Sequence, residues 1–229
     1  MSKVLLITGT SDVNRTPNET DNTMEEVFDA TLPSKQRYAK KHGYDLLSIR
    51  NFGEDLRRGF KQSQIGFLRA VRTFDMLKYY DIVMWIDADS IITNQDLKIE
   101  DFKLEPNYVF YASYDWHGNN SFSSGNFIVQ NTPYTKDFIN DFYNVAKFFP
   151  EEQQTLNGMY FNTNYRNVMK ILEHSYLGAV PSVEIYAEQW QGRRPIVSPW
   201  KQGDFLLHIT GIPNYARLRI LKTHFSEYL

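Results

Sequence analysis

The 229-residue sequence predicts an α/β domain with a mixed, mostly parallel central sheet flanked by helices. Three observations lead there. The chain up to about residue 94 runs strand, helix, strand, helix, strand, the order that builds a parallel sheet through right-handed crossovers. Its apolar runs are short, branched and continuous rather than alternating with polar residues, as in strands covered on both faces. Further on, two strand-like runs at 108–114 and 127–131 follow each other with only a polar segment between them, which makes the sheet mixed.

In chain order, Val4 to Ile7 is a buried first strand that ends in Thr8-Gly9-Thr10, a loop on the ligand side. Residues 10–23 are polar, with Pro17 and three asparagines, and read as a surface loop. A helix from Met24 to Lys41 closes at His42-Gly43, and Tyr44 to Ile49 is the second strand. Ile65, Leu68, Val71, Phe74 and Leu77 recur at helical spacing within 62–80, so a second helix leads into the strand at 82–87. Beyond it come strands at 108–114 and 127–131 joined by a polar loop at 115–124, then a helix from Tyr134 to Phe148. Residues 151–174 read as helix interrupted at Gly158, 176–188 and 204–209 as strands, and 215–225 as a terminal helix. No repeat, low-complexity tract or Gly/Pro-rich linker divides the chain, so one domain is expected, residues 1–94 binding a nucleotide and 95–229 an acceptor.

The most informative stretch is Ile82-Val-Met-Trp-Ile-Asp-Ala-Asp-Ser-Ile-Ile, where an apolar run ends in Asp87 and Asp89. Two acids spaced two apart at a strand end can face one cation, because extended backbone puts i and i+2 on one side. Unpaired charges set into an apolar element are costly without such an ion. A divalent cation beyond the carboxyl ends of parallel strands suits transfer from an activated diphosphate donor, and Thr8 to Thr10 fall at the same sheet edge.

Composition narrows the partners. Net charge is −2 and the pI about 6.2, so there is no basic footprint for nucleic acid and no polybasic membrane patch. Cysteine is absent, which rules out disulfides and thiolate metal sites. No stretch approaches the roughly 18 apolar residues of a membrane span, and the first strand is too short for a secretory signal, so a cytoplasmic setting is expected.

Several motifs together resemble one family. Arg37-Tyr-Ala-Lys-Lys-His-Gly-Tyr-Asp-Leu46, Gly66-Phe-Leu-Arg-Ala70, Trp85-Ile-Asp-Ala-Asp-Ser90, Ser124-Gly-Asn-Phe-Ile-Val129, Glu152-Gln153 and Gly203-Asp-Phe-Leu-Leu-His-Ile-Thr-Gly211 occur in the order seen in GT-A (Rossmann-like) glycosyltransferases. The chain is similar there to the galactosyl/mannosyltransferase and xylosyltransferase group, glycosyltransferase family 34, and to small viral members that decorate capsid glycans. The resemblance implies a retaining hexosyl-, pentosyl- or deoxyhexosyltransferase that uses a nucleotide-diphosphate sugar, a UDP-sugar by preference, and Mn2+ or Mg2+ to glycosylate a glycan or glycoprotein.

Carried over residue by residue, Asp89 coordinates the ion, Asp87 helps hold it and the ribose, and His208 completes the protein ligands. Two carboxylates and one imidazole, completed by phosphate oxygens and water, suit manganese or magnesium better than zinc. On the residues alone, His208 in Phe205-Leu-Leu-His-Ile209 is either a hydrogen-bonded core histidine or a ligand, and Gly211 leaves room for a phosphate. Donor contacts are expected from Thr8, Gly9, Thr10, Arg69, Asp87, Ala88, Ser124, Gly125 and Gly211, with Arg37 or Tyr38 nearby on a uridine pocket. Ser124-Gly125 is otherwise a plain turn into a strand. Trp116 and Trp190 are expected sugar platforms on the acceptor side.

Glu152, Gln153 and Gln154 either complement a helix dipole after Pro150 or lie beside the reacting carbon. The family more often has Asp where Gln154 stands, which favours front-face transfer supported by Gln153 or Gln154, with Glu152 as a fallback base. The family's Lys and Asn are replaced by Gln64 and Ser123, and Ile212-Pro213 stand where a basic residue is usual. Arg69, Arg217 and Arg219 are the candidate replacements for those phosphate-facing cations. Two rivals stay open at this stage. A sugar nucleotidyltransferase would need a longer, more basic loop than Thr8-Gly-Thr-Ser-Asp12, and a cation-dependent glycan-binding module or inactive GT-like scaffold would bind glycan without metal-dependent affinity for UDP.

Overall fold

Side-chain alternation along the two innermost parallel strands builds a core on each face of the sheet. The computed structural model describes residues 2–10, 23–50, 65–115, 118–189 and 199–229. In β1 (Val4–Gly9) and β3 (Ile82–Asp87), Leu5, Ile7, Val83 and Trp85 join one buried cluster, and Val4, Leu6, Ile82, Met84 and Ile86 join another. That is the period of two expected of extended backbone, with helices covering both sides. On the first face lie α2 (Ile65–Met76), α3 (Thr135–Val145) and α4 (Glu152–Asn162), through Phe67, Phe74, Phe138, Phe142 and Leu156. On the second, α1 (Met24–His42) packs through Tyr38 and Ala39, together with Phe205 and Leu206.

The six-stranded sheet has the order β2-β1-β3-β6-β5-β7, with β2 (Asp45–Ile49), β5 (Phe110–Asp115), β6 (Gly118–Gln130) and β7 (Met169–Leu172). β1 is parallel to both β2 and β3, and β5 to β7, while β6 runs antiparallel between β3 and β5. A separate antiparallel pair joins β4 (Ser90–Ile92) to β8 (Leu206–His208). Three further helices are α5 (His174–Leu177), α6 (Val183–Gln189) and α7 (Asn214–His224).

The ends of α1 follow its sequence. Thr23 Oγ1 accepts from the Glu26 amide while Glu26 Oε2 accepts from the Thr23 amide, and Gly43 at φ 72° lies in the left-handed region that glycine adopts without cost.

Three expectations are corrected. The polar segment 115–124 is mostly strand: β6 starts at Gly118 and runs 13 residues, its buried positions including Ser124, Gly125 and Asn126. Residues 151–174 are not one broken helix. α4 passes through Gly158 uninterrupted, because a side chain there would meet the Phe149 ring at 2.9 Å, and the chain then becomes β7 beside β5. Residues 176–188 hold no strand: α5 ends at Leu177, Val180 makes an isolated bridge to Pro199, and α6 follows from Val183, with Ser182 Oγ accepting from the Ile185 amide at its start; Ile185 and Tyr186 join the cluster around α7 instead of a ladder. The loop expected at 10–23 falls, but for its ends, outside the described residues.

Candidate functional site

β3 ends at Asp87, whose backbone pairs with Gly9 at the end of β1, so the first strand's loop and the acidic tip meet at one sheet edge. The chain does not stay extended as far as Asp89. Ala88 and Asp89 form a turn into β4, and the pairing of β4 with β8 sets Ser90 opposite His208. Oxygens of Asp87 and Asp89 and a ring nitrogen of His208 all lie within 4.8 Å of one another. Convergence thus comes from a tight turn and a second sheet rather than from strand periodicity.

His208 is buried, and its Nε2 has no hydrogen-bond partner among the described residues. It lies 3.2 Å from Asp89 Oδ1 and 3.9 Å from Asp87 Oδ2, near both but aligned with neither. A buried nitrogen without a partner is costly, and a divalent cation shared with the two carboxylates removes that cost. The side-chain set therefore fits a cation of the manganese or magnesium type. Gly125 of β6 packs directly behind it: a Cβ there would stand 2.5 Å from His208 Cε1 and 2.9 Å from Asp87 Oδ2.

The acids carry fixed counter-charges. Arg69 of α2 donates to both oxygens of Asp87, at 2.7 and 2.9 Å, and pairs with Glu152 at the start of α4. Burial works against its charge, but the two carboxylates outweigh burial and raise its pKa further. Trp85, on the same face of β3, gives its indole N–H to Asp87 Oδ1 at 2.7 Å. Asp89 has Arg217 Nε of α7 3.2 Å from Oδ2. Burial alone would raise the Asp89 pKa, yet His208 and Arg217 hold it well below the usual carboxylate range. For His208, burial favours the neutral ring, and the Asp89 charge reverses that to give a net upward shift.

A cleft of 310 Å³ opens over this cluster, lined by Gly9, Thr10, Met24, Gly66, Arg69, Trp85, Asp87, Ala88, Asp89, Thr210 and Arg217. Among the donor candidates, Gly9, Thr10, Arg69, Asp87 and Ala88 are in this lining. Thr8 is buried in β1, its hydroxyl and that of Thr10 without partners among the described residues. Gly211 takes φ 77° just after Thr210. Ser124 Oγ donates to Glu152 Oε1 at 2.9 Å, and its amide to Gln153 Oε1 at 3.1 Å. Gln153 in turn reaches Asp115 Oδ2 at 3.5 Å, whereas Gln154 is exposed on α4. Trp116 and Trp190 lie outside the described residues, as does Gln64.

Arg37 and Tyr38 do not meet the Thr8 to Thr10 segment. Arg37 donates to the carbonyls of Tyr228 and Leu229, and the buried Tyr38 hydroxyl donates to Leu97 O, because that stretch of α1 faces the second core. Arg219 is exposed, leaving Arg217 as the late cation in the cleft. Lys35 was not anticipated: it is fully buried beneath the acidic turn and donates to Asp87 O at 3.0 Å. The signal was present in the sequence, since Phe28, Thr31, Leu32, Lys35, Tyr38 and Ala39 form one helical stripe and a lysine on an apolar stripe needs a partner.

Residues 36–167 match the family described as "Protein of unknown function, DUF273". No curated protein matches the chain. Among solved structures, a glycosyltransferase involved in the glycosylation of the major capsid of PBCV-1 superposes with a TM-score of 0.62 at 14% identity, over 96% of this chain and 100% of that one. Mouse xyloside xylosyltransferase 1 superposes at 0.55 with 10% identity, over 90% of this chain and 96% of that one. The galactosyltransferase LgtC, solved with donor and acceptor sugar analogues, superposes at 0.52 with 11% identity, over 90% and 87%. At these identities the likeness establishes the GT-A fold.

Proposed function

Because the chain belongs to the family DUF273 and has the GT-A fold, we propose that it is a metal-dependent glycosyltransferase, moving a sugar from a nucleotide-diphosphate donor, UDP-linked by preference, to a hydroxyl of a glycan or glycoprotein. The observation that carries this reading is the buried His208 Nε2, without an aligned hydrogen bond among the described residues, facing Asp87 and Asp89 over a cleft that ends at β1. Protonated, the ring pairs with Asp89; neutral, its nitrogen would be satisfied by a cation shared with the two acids.

A bound divalent cation would supply Lewis-acid stabilisation of the departing diphosphate, the atom group on which negative charge develops. Asp87, Asp89 and His208 would hold it. The protein's own residues do the rest. Arg217, on the cleft wall with Nε on Asp89, is the side chain placed to meet diphosphate oxygens in place of the family's missing cation. Before loading, the carboxylates of Asp87, Asp89 and Glu152 are offset by Arg69, Arg217 and His208, with Lys35 buried behind Asp87 O, so fixed cations already answer the acids. A cation and a diphosphate entering together preserve that balance better than either alone.

Glu152 is engaged by Arg69 and Ser124, which makes it a positioning group for the donor sugar rather than a free base. Gln153, tied to Ser124 and next to Asp115, is in this reading the amide that supports the reacting carbon, in keeping with front-face transfer and retention. In this reading the chain is a single domain, residues 1–94 carrying the nucleotide and 95–229 the acceptor, with His208 and Arg217 reaching back to the diphosphate. Thr8 to Thr10 border the nucleoside, Ser124, Gly125 and Gly211 the sugar and phosphates, and Trp116 and Trp190 the acceptor. Among the described residues no helix is long and apolar enough to cross a membrane.

The test is calorimetric and kinetic. UDP binding should require manganese, and Asp89→Ala should abolish UDP-sugar turnover while the circular dichroism stays that of the wild type. Metal-independent UDP binding, or near-normal turnover by Asp89→Ala at saturating manganese, rejects the assignment.

A further inference from the structure

Lys35 sits on α1 beneath the turn that carries the acids, with no accessible surface. Its partners among the described residues are not carboxylates. Nζ donates to Thr31 Oγ1 at 3.1 Å, to Asp87 O at 3.0 Å and, at longer range, to Ala88 O at 3.5 Å. Thr31, one helical turn earlier, uses its own hydroxyl hydrogen on Ala88 O. The Ala88 methyl is buried against Phe28 and Leu32 of the same helix. Two consecutive carbonyls of the turn therefore point at α1, and the side chains on either side of Ala88 are left to face the cleft.

Burying an ammonium against carbonyls alone is expensive, and burial pushes the Lys35 pKa down to about 7 even with Asp89 and Asp87 acting to raise it. An apolar residue of the same length would be easier to keep in that place. The lysine earns its position only if the turn has to be held against its own tendency to relax. On α1 Thr31 shares this task, whereas Ser34 Oγ accepts from the Ile92 amide, further along β4.

We propose that Lys35, acting through Thr31, is a positioning residue for the cation site: it fixes the Asp87 and Ala88 carbonyls toward α1 and so turns both carboxylates into the cleft. The inference rests on the cation site proposed above. It also makes a prediction of sign. By Coulomb's law alone, removing a positive charge beside two metal-binding acids should tighten cation binding. If the ammonium instead sets the geometry, its removal loosens binding, as loss of an outer hydrogen bond to metal ligands does by about tenfold to a hundredfold.

The experiment uses the full chain, with manganese chloride titrated calorimetrically into wild type, Lys35→Met and Thr31→Val, alone and with UDP present, and a thermal melt of each metal-free protein. The expected result is a dissociation constant for manganese raised about tenfold or more in both variants, with the melting temperature of metal-free Lys35→Met at or above that of wild type. A purely structural lysine would instead lower the melting temperature and leave the affinity of the folded fraction unchanged. An affinity unchanged or tightened in a folded variant overturns the proposal. If Lys35→Met does not fold, Thr31→Val, which leaves the charge in place, decides on the same criterion; if neither folds, the pair is a determinant of the fold and the proposal fails. Absence of manganese binding by the wild type would instead reject the cation site itself.

Discussion

Gly125→Ala isolates the cation site from the rest of the fold. Gly125 is not among the glycines with positive φ, so its backbone accepts alanine without strain. The added Cβ would sit 2.5 Å from His208 Cε1, 2.9 Å from Asp87 Oδ2 and 3.2 Å from His208 Nε2. Carbon atoms in contact rest about 3.5–4.0 Å apart, so the imidazole must retreat by roughly 1 Å. Metal–ligand distances tolerate about 0.2 Å, and a misplacement of about 1 Å costs on the order of a hundredfold. Manganese should therefore bind about a hundredfold more weakly, equivalent to about 2.8 kcal/mol. Stability should fall by about 0–2.6 kcal/mol, since the overpacking cost of about 1–3 kcal/mol is partly offset by the entropy that alanine removes from the unfolded chain, about 0.4–1 kcal/mol. Manganese titration by calorimetry, with a thermal melt of the metal-free protein beside it, measures both. Wild-type affinity in a folded Gly125→Ala would show that His208 and Asp87 do not share an ion.

Other consequences follow from the same neighbourhood. A Cβ at Gly66 would fall 1.7 Å from Glu152 Oε2, the far end of a flexible side chain, so Gly66→Ala should fold, gain slightly in helix propensity and displace Glu152 from Arg69 and Ser124. Its turnover should drop about a hundredfold, matching Glu152→Gln; wild-type steady-state kinetics would rule out a role for Glu152 in donor placement. Cation affinity should also depend on pH. With the His208 pKa above its ordinary value of about 6.5, manganese displaces a proton in that range, and affinity should climb about tenfold per pH unit until the ring is neutral. The stability of the metal-free protein moves the other way: a raised folded pKa contributes stability that is complete below about pH 6.5 and is lost as pH rises through the folded value. Asp89, held low, contributes stability above its unfolded pKa of about 3.9 and loses it only in strong acid. Melting curves with EDTA and with manganese, across about pH 6 to 9, should diverge as pH rises; in His208→Gln that divergence should flatten, and an unaltered pH slope would remove His208 from the ligand set.

Legibility varied with the job of each segment. β1, β3 and α1 were plain, because the two strands are continuous buried apolar runs and α1 carries one buried stripe closed by a glycine in the left-handed region. β6 was misread over its first half because Ser123, Ser124, Gly125 and Asn126 put polar or small residues on both faces of the strand, Ser124 against Glu152 and Asn126 against Leu177 O, and such a strand looks like a loop. β7 and α6 were missed for a different reason: short branched segments have weak intrinsic preferences, and the neighbour decides, β5 for the one and α7 for the other. Lys35 was overlooked although its place on an apolar stripe was visible, since sequence alone offers no partner for it.

By itself the sequence determined that acids would stand at the end of a buried strand, that parallel strands would bring Thr8 to Thr10 to the same edge, and that no cysteine or basic surface would redirect the chemistry. Those are consequences of local pattern, because a continuous apolar run marks a strand buried on both faces and its polar end marks the edge where a parallel sheet meets ligand and solvent. Only the tertiary structure decided that His208, more than a hundred residues away, would face Asp89 through the pairing of β4 with β8, that Arg69 would join Asp87 to Glu152, and that a lysine on α1 would hold the turn between the two acids. Contacts of that kind depend on distances of tenths of an ångström between elements remote in the chain, and no periodicity along the sequence encodes them.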